Sequence, residues 1–562
     1  MAADADALAA FESGGLTWRA ESAHADGVRR EVAERLAGLE SVAGVSVLKR
    51  SLVRTVLRVP MQGLGHVIVK RYAVRGLSDR LKYVVAPSRA LAEWRVGRAL
   101  AAAGIPTAVP VAMGERRGAF LSDAALVTRE IADALHLNAY VERHFRDAGD
   151  PRRAALYDEL ARTVRRMHDA RFVHNDLHGG NLLVNGPPLA PRLFVIDLHS
   201  VRGPGRATDG ARWFDLVKLL HSMLTCSTAA ERERICRVYD ETGGPSATRI
   251  GGLLSCGALS EELEPRLRRM ELERVRSRTE RALTRSSKFD ISRAGPYAVH
   301  HLRSFPAGAV PTLVAAHRAS LGEGGSGVLK DAERSALTRQ RIDLPEGART
   351  VIVKQYRCAA LGERLKNAVR RPRAVSAWLA GNGLLVRRFD AAVPLALATR
   401  GGGIAMSEAF VVMEDLGEDA RCDLVVLAKF AGALDAQGRR EKRDLVTSAA
   451  RLFRRLHEAG VYHGDLKAVN LFLRHGAGAP HIVLADYDRV EFDREVARRR
   501  RIKNLAQLSA SVAICISLSD RLRFFREYAR DDPEALADWK GWFRRVIGEC
   551  RQKIVVRMKP IE

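Results

Sequence analysis

The sequence predicts two α+β domains in tandem, each with a small strand-rich part followed by a helical part. Three observations lead there. The chain has 562 residues, more than one hydrophobic core supports, so two domains of about 250–300 residues follow from size alone. Apolar residues make up 47% and charged residues 28%, an ordinary globular composition with no collagenous or disordered bias. Finally, three motifs recur in the same order at nearly one spacing.

The first pair is HVIVKRY and TVIVKQY, which sets Lys70 and Lys354 284 residues apart. The second is FVHNDLHGGNLLV and VYHGDLKAVNLFL, with Asp176 and Asp465 289 apart. The third is LFVIDLHSV and IVLADYDRV, with Asp197 and Asp486 again 289 apart. A period this long marks a duplicated domain and not a solenoid unit. The expected domains are residues 1–275 and 276–562. Between them, Glu261–Lys288 mixes both charges at helical density and reads as a solvated helix joining the halves.

Each element follows from local pattern. His66–Tyr72 is a short β-branched run, hence a strand. Arg89–Ala103 has helical periodicity and stops at Gly104, with Pro106 just beyond. Ala154–Ala170 is a second amphipathic helix that leads directly into HND. Leu193–Leu198 is an apolar run of the kind buried in a sheet. The second half repeats the plan with Thr350–Tyr356, Arg373–Ala380, Leu445–Ala459 and His481–Asp486.

The recurring polar residues fit phosphoryl transfer, which needs neutralised phosphates, metal ligands and a carboxylate that orients the attacking hydroxyl. In the first half, Asp176 orients the acceptor hydroxyl and takes its proton. Asn181 and Asp197 reach a magnesium ion. Lys70 holds the phosphates of ATP, and Glu93 on the following helix holds Lys70. In the second half, Asp465, Asn470, Asp486 and Lys354 stand for the same roles. Each residue alone has a bland explanation: a lone H-x-D is common, and an Asp after a strand often caps a turn. The full set in one order, twice, with 21 residues between the two aspartates each time, favours chemistry.

The loops H-N-D-L-H-G-G-N and H-G-D-L-K-A-V-N resemble the kinase catalytic loop, and IDLH and ADYD sit where its D-F-G belongs. More narrowly, the VIVKRY strand, the HGDLKAVN loop and the RIKNLAQLSAS helix are similar to the lipopolysaccharide core kinase (Kdo/WaaP) family. The resemblance covers the larger part of each half. It implies a protein-kinase-like fold in each, with a β-rich N-lobe and a helical C-lobe. It also implies ATP-dependent phosphorylation of a sugar of the lipopolysaccharide inner core at the cytoplasmic membrane face. The chain after Asp197 reaches the apolar helix at Trp213 without an A-P-E motif, which favours a small or glycolipid acceptor over a protein.

Some positions depart from the pattern. Ala377 stands in the second half where Glu93 stands in the first, so Lys354 is expected to lack a carboxylate on that helix and either to wander or to pair with Asp486. Asn504 stands for Asp215. These differences make the first half the expected stronger catalyst and leave open that the second is a pseudokinase scaffold binding nucleotide without turnover. Gly322–Gly327 matches G-x-G-x-x-G literally, but the repeat places the phosphate loop near Asp331–Ser335, and GEGGSG reads as a turn entering the first strand.

Lys and Arg total 92 against 66 Asp and Glu, a net charge of +26. Such an excess predicts an anionic partner. Clusters at Arg80, Lys82 and Arg89, at Arg364, Lys366, Arg370, Arg371 and Arg373, and at Arg498–Arg501 with Lys503 suit an anionic membrane surface or phosphate-rich acceptor. Nucleic acid is disfavoured, because aromatic residues are only 6% and stacking is its usual requirement. The seven cysteines are scattered and never in C-x-x-C spacing, which fits a reducing compartment. The acidic start lacks the basic flank of a signal peptide, and the apolar run Ala510–Leu518 is too short to span a bilayer. A cytoplasmic, peripherally membrane-bound protein is expected.

Overall fold

A computed structural model describes residues 7–558, apart from residues 52, 75, 146, 148, 206, 244–247, 324, 326, 345–346, 358–369, 402–405, 475–480 and 531. The side chains of residues 77–80, 323, 534 and 552–558 also lie outside the description. The chain divides into two units, Met1–Glu271 and Leu272–Glu562.

In the first unit, seven strands form one antiparallel sheet. They are β1 (Leu8–Ser13), β2 (Leu16–Glu21), β3 (Ser46–Arg50), β4 (Arg54–Met61), β5 (Gly65–Ala73), β6 (Pro110–Arg117) and β7 (Leu121–Arg129), in the order β1-β2-β6-β7-β5-β4-β3. Strand β5 shows how composition sets orientation. Its side chains alternate, so Val67 and Val69 are buried against one face, while Ile68, Lys70 and Tyr72 share the other. The β1–β2 hairpin turns at Gly14 and Gly15, both left-handed at φ 56° and 74°. That geometry costs a residue with a side chain and is free for glycine.

Helix α1 (Arg89–Ala102) packs on this sheet. Ser88 caps it, its hydroxyl accepting from the Leu91 amide at 3.0 Å, as favoured at a helix start. Its buried stripe is Ala90, Glu93, Trp94, Gly97 and Leu100, a helical spacing. A Cβ on Gly97 would come within 2.5 Å of Pro110, so helix and strand approach closely only because that residue is glycine.

The helical lobe of the first unit includes α2 (Arg153–Asp169), α3 (Asp209–Ser222) and most of α4 (Leu259–Glu280). A small sheet of β8 (Leu135–His136), β9 (Leu182–Asn185) and β10 (Arg192–Val195) lies at its edge. Helix α4 is not solvated all round, contrary to expectation: Leu263 and Leu267 are buried in the first core. Leucine at four-residue spacing gives that helix an apolar face which the charge density had masked.

The second unit repeats the plan. Strands β11 (Phe289–Ala294), β12 (Tyr297–Leu302), β13 (Val328–Ala332), β14 (Ser335–Leu344), β15 (Gly347–Arg357), β16 (Pro394–Arg400) and β17 (Glu408–Glu414) run in the order β11-β12-β16-β17-β15-β14-β13. Helix α5 (Ala309–Glu323) precedes β13, and α6 (Arg373–Val386) occupies the place of α1. Gly381 meets Pro394 as Gly97 meets Pro110, at 2.6 Å for an added Cβ. Helices α7 (Ala436–Glu458) and α8 (Arg498–Ser511) follow, with β18 (Val461–His463) paired to β21 (Val490–Phe492), and β19 (Leu471–Arg474) paired to β20 (His481–Leu484). Each unit thus has the α+β, two-lobed arrangement of a kinase-like domain. Two hairpins, β1–β2 and β11–β12, enlarge the sheets beyond what the sequence reading assigned.

The GEGGSG stretch begins inside a helix: Gly322 lies in the last turn of α5, and Gly327 precedes β13. The turn between β13 and β14 is at Glu333–Arg334. Leu193–Leu198 is a shorter strand than expected, because Asp197 leaves it in a left-handed conformation at φ 62°.

Candidate active site

Strand alternation points Lys70 and Tyr72 at α1, where Glu93 sits on the buried stripe. Lys70 Nζ donates to Glu93 Oε2 at 2.6 Å, and Tyr72 Oη donates to Oε1 at 2.5 Å. Glu93 is 2% exposed, and a buried carboxylate requires partners of this kind. Lys70, Glu93 and Asp197 line one cleft, with Ile68, Leu126 and Thr128 among its walls.

Asp197 follows β10, and its left-handed turn directs the carboxylate toward Lys70. Arg54, the first residue of β4, donates to it in fork geometry, Nη1 to Oδ1 at 2.7 Å and Nη2 to Oδ2 at 2.9 Å. His199 Nδ1 lies 2.9 Å from Oδ1. Burial pushes the Asp197 carboxyl up, but bonds from His199 and Arg54 and the charge of Lys70 outweigh it and hold it well below the usual carboxylate range. The same pair raises the Arg54 guanidinium.

Asp176 follows α2 in the HND loop. Lys218 from α3 donates to its Oδ1 at 2.7 Å, and Asn181 Nδ2 donates to its backbone carbonyl at 2.9 Å. Burial pushes the Asp176 carboxyl up, and Lys218 more than offsets this, so it sits below its ordinary value. Beneath the loop, fully buried Asp215 accepts the amides of His174 and Asn175 at 2.6 and 2.8 Å. Those two bonds hold the loop on α3. His178 lies 3.8 Å from Asp176.

In the second unit, β15 presents Lys354 and Tyr356 in the same way. Position 377 on α6 is Ala377, and the carboxylates come from after β20 instead. Lys354 Nζ bonds Asp486 Oδ1 at 2.6 Å and lies 2.7 Å from Asp488 Oδ2. Tyr356 Oη donates to Asp488 Oδ1 at 2.6 Å, as Tyr72 does to Glu93. Burial lowers the Lys354 ammonium, and Asp488 and Asp486 together raise it above its ordinary value. Asp486 also turns left-handed, at φ 49°, and Lys354 overcomes burial to hold its carboxyl low. Asp465 pairs with Lys467 at 2.6 Å, and Asn470 Nδ2 donates to the Asp465 carbonyl at 2.9 Å. Asn504, standing for Asp215, accepts the His463 amide at 3.3 Å and donates to the His463 carbonyl at 2.7 Å.

The model of the lipopolysaccharide kinase (Kdo/WaaP) family matches residues 44–239 and again 336–528. The chain belongs to the lipopolysaccharide kinase (Kdo/WaaP) family. It is therefore a kinase, with the family's domain present twice. Both family matches begin after the extra hairpins. No curated protein matches the chain. Among solved structures, WaaP in complex with acyl carrier protein is 26% identical, over 41% of this chain and 90% of that one, with a TM-score of 0.32.

Within this kinase family fold, the first site brings together Lys70, Glu93 and Asp197, and joins Asp176 to Asn181. The second joins Lys354 to Asp486 and Asp465 to Asn470. Lys354 has no carboxylate on α6 and pairs with Asp486, one of the two outcomes expected from Ala377, while Asp488 supplies a second carboxylate that was not foreseen. Sequence reasoning also missed Arg54, His199, Lys218 and Lys467. Asp488 and His199 stood in view, two residues after the strand-ending aspartates. Arg54 gave no local signal, since its partner is 143 residues away.

The basic clusters divide. Arg498, Arg500 and Arg501 are ion-paired with Asp538, with Glu491 and Asp493, and with Asp532, so that cluster is largely internal. Arg371 pairs with Glu280 at 3.0 Å and Arg373 approaches Asp488 at 3.9 Å. Arg364, Lys366 and the side chain of Arg80 lie outside the described residues. No described helix is long and apolar enough to cross a membrane.

A divalent cation needs a carboxylate oxygen facing open space. Asp486 offers one: among the described residues it accepts only from Lys354, at Oδ1, and its side chain is 40% exposed. The amide of Asn470 is bonded through its nitrogen, which leaves its oxygen to a ligand. Asp197 does not offer one, since both oxygens are engaged by Arg54. Glu93, Asp197 and His199 do come within 4.8 Å of one another, but with that guanidinium among them. The second site fits a metal as it stands; the first does not.

Proposed function

We propose that the protein is an ATP- and magnesium-dependent phosphotransferase whose acceptor is a sugar hydroxyl of a cell-envelope glycolipid such as the lipopolysaccharide inner core. The observation that carries this reading is the buried lysine–carboxylate pair beside a strand-ending aspartate, built in both units of a chain from a kinase family. In the second unit, Lys354 binds the nucleotide phosphates, and Asp488 holds Lys354. Asp486 and Asn470 would hold magnesium, which would supply neutralising charge to the transferred phosphoryl group. Asp465 orients the acceptor hydroxyl and takes its proton. The new bond joins that oxygen to the γ-phosphorus, the bond to the β,γ-bridging oxygen breaks, and ADP leaves. The corresponding positions of the first unit are Asp176, Asn181, Asp197, Lys70 and Glu93, but there Arg54 occupies both oxygens of Asp197. One domain per unit, with the helix α4 at the junction, is part of the same reading.

A short link between the strand-ending aspartate and the next long helix supports a small or glycolipid acceptor. Helix α3 starts 12 residues after Asp197, and α8 starts 12 residues after Asp486. The excess of basic residues suits an acceptor carried in an anionic membrane face.

The test is phosphate transfer from ATP to purified core glycolipid by full-length Asp176→Asn and Asp465→Asn variants. Removing a positioned base costs about 10²–10⁴-fold, and we expect that loss from Asp465→Asn. Full activity in both single variants and in the double variant would remove both aspartates from the chemistry. Activity on a protein acceptor alone would redirect the substrate class.

A further inference from the structure

The two sites differ most at one position. Arg54 lies opposite Tyr72 in the β4–β5 ladder. In the second unit the residue opposite Tyr356, in the same ladder, is Ser335. The guanidinium that grips both oxygens of Asp197, at 2.7 and 2.9 Å, therefore has no counterpart at Asp486 among the described residues. The second difference lies two residues after each aspartate, where the first unit has His199 and the second has Asp488.

Charge follows from these exchanges. Around the first strand-ending aspartate stand Lys70 and Arg54 against Glu93 and Asp197. Around the second stands Lys354 against Asp486 and Asp488. Arg373, 3.9 Å from Asp488, is matched by Arg89 at the same helix position of the first unit. A divalent cation is held by excess negative charge and repelled by a guanidinium at hydrogen-bond distance. A guanidinium is itself a strong phosphate ligand, always charged and able to donate two parallel bonds. The cleft beside it carries the apolar walls Ile68, Leu126 and Leu183, suited to a planar base.

We propose that the first site binds a nucleotide without a divalent cation, with Arg54 in the place the metal takes in the second site. The proposal rests on the reading of Asp486 as the residue that holds the metal. It makes the first unit a nucleotide-binding module and leaves metal-assisted transfer to the second. It also reverses the order of activity expected from Ala377.

The experiment counts ligands on the full-length protein. A non-hydrolysable ATP analogue and Mn²⁺ are titrated together, with bound Mn²⁺ read by electron paramagnetic resonance. Wild type should hold two nucleotides and one Mn²⁺, and chelation with EDTA should release one nucleotide and retain the other. Lys70→Ala should lose the retained nucleotide. Arg54→Ser, which installs the second unit's residue type, should raise the Mn²⁺ count to two and make all nucleotide binding sensitive to EDTA. Two Mn²⁺ on wild type, one of them lost in Asp197→Asn, would overturn the proposal, and so would complete loss of nucleotide in EDTA. Neither of those readings needs Arg54→Ser to fold. If instead Asp486→Asn keeps its Mn²⁺, the failure lies in the assignment of Asp486 and the proposal falls with it.

Discussion

The two sites give the strand lysine a carboxylate and the loop aspartate an ammonium from different positions in the chain. The carboxylate beside the strand lysine comes from Glu93 on a helix in one unit and from Asp488 in a turn in the other. The ammonium beside the loop aspartate comes from Lys218 on α3 and from Lys467 in the loop itself. Lys354 is 4% exposed, so each of its two carboxylates offsets a desolvation cost that water cannot. A hydrogen bond to a charged group contributes about 1.5–3 kcal/mol. Asp488→Asn should therefore weaken ATP binding at the second site by about tenfold or more, measured by titrating nucleotide with Mg²⁺ onto the full-length protein. The matched His199→Ala change should cost far less, because Lys70 keeps Glu93. Unchanged affinity in Asp488→Asn would mean that Asp486 alone suffices.

The motifs exposed Lys70, Asp176 and Asp197 because each lies within or shortly after a regular element, where local pattern is strong. The residues that complete the pairs sit elsewhere, and no local period marks them.

Helices α2 and α7 carry a buried histidine each, which ties them to the element below. His168 Nδ1 lies 2.8 Å from Tyr239 Oη and its Nε2 3.3 Å from Asp215. His457 meets Tyr528 at 2.8 Å and Asn504 at 3.2 Å. Burial lowers both histidines, and the neutral Asn504 offsets it less than a carboxylate does, so His457 falls to about 4. The unfolded chain binds that proton first as pH falls, so the stability of the second unit is full above 6.5 and declines toward pH 4. A shift of this size is worth about 3 kcal/mol by linkage. Urea unfolding at pH 7 and pH 4 should show that loss, and His457→Gln should flatten it. Equal slopes in wild type and variant would exclude His457 as the source. The helices themselves were legible from apolar spacing, whereas the hairpins β1–β2 and β11–β12 were not assigned, although Gly14-Gly15 between alternating residues is a hairpin signal.

Across the whole molecule the balance of charge is +26, and part of that excess is neutralised inside the fold. Arg498, Arg500 and Arg501 belong to that part. Arg370 and Arg371 remain exposed. A basic residue at an anionic lipid surface adds about 1 kcal/mol, screened within a Debye length. The full-length protein should therefore sediment with anionic vesicles at low salt and be released at high salt, and reversing Arg370 and Arg371 should reduce binding by about tenfold or more. Reversing Arg498 and Arg500 should not. Equal binding to neutral vesicles would exclude an electrostatic mode.

Duplication, the kinase-like order of elements and the polar residues at strand ends were all readable in the chain, because each is a local pattern or the repetition of one. Which side chains complete each site was not. Arg54 reaches Asp197 across 143 residues, and Lys354 reaches Asp486 across 132. Those meetings depend on strand register and on how a helix docks against a sheet, and a linear period carries no record of either. A charge can be moved from Glu93's position to Asp488's without changing what the lysine feels, since Coulomb attraction depends on distance in space and is blind to position in sequence.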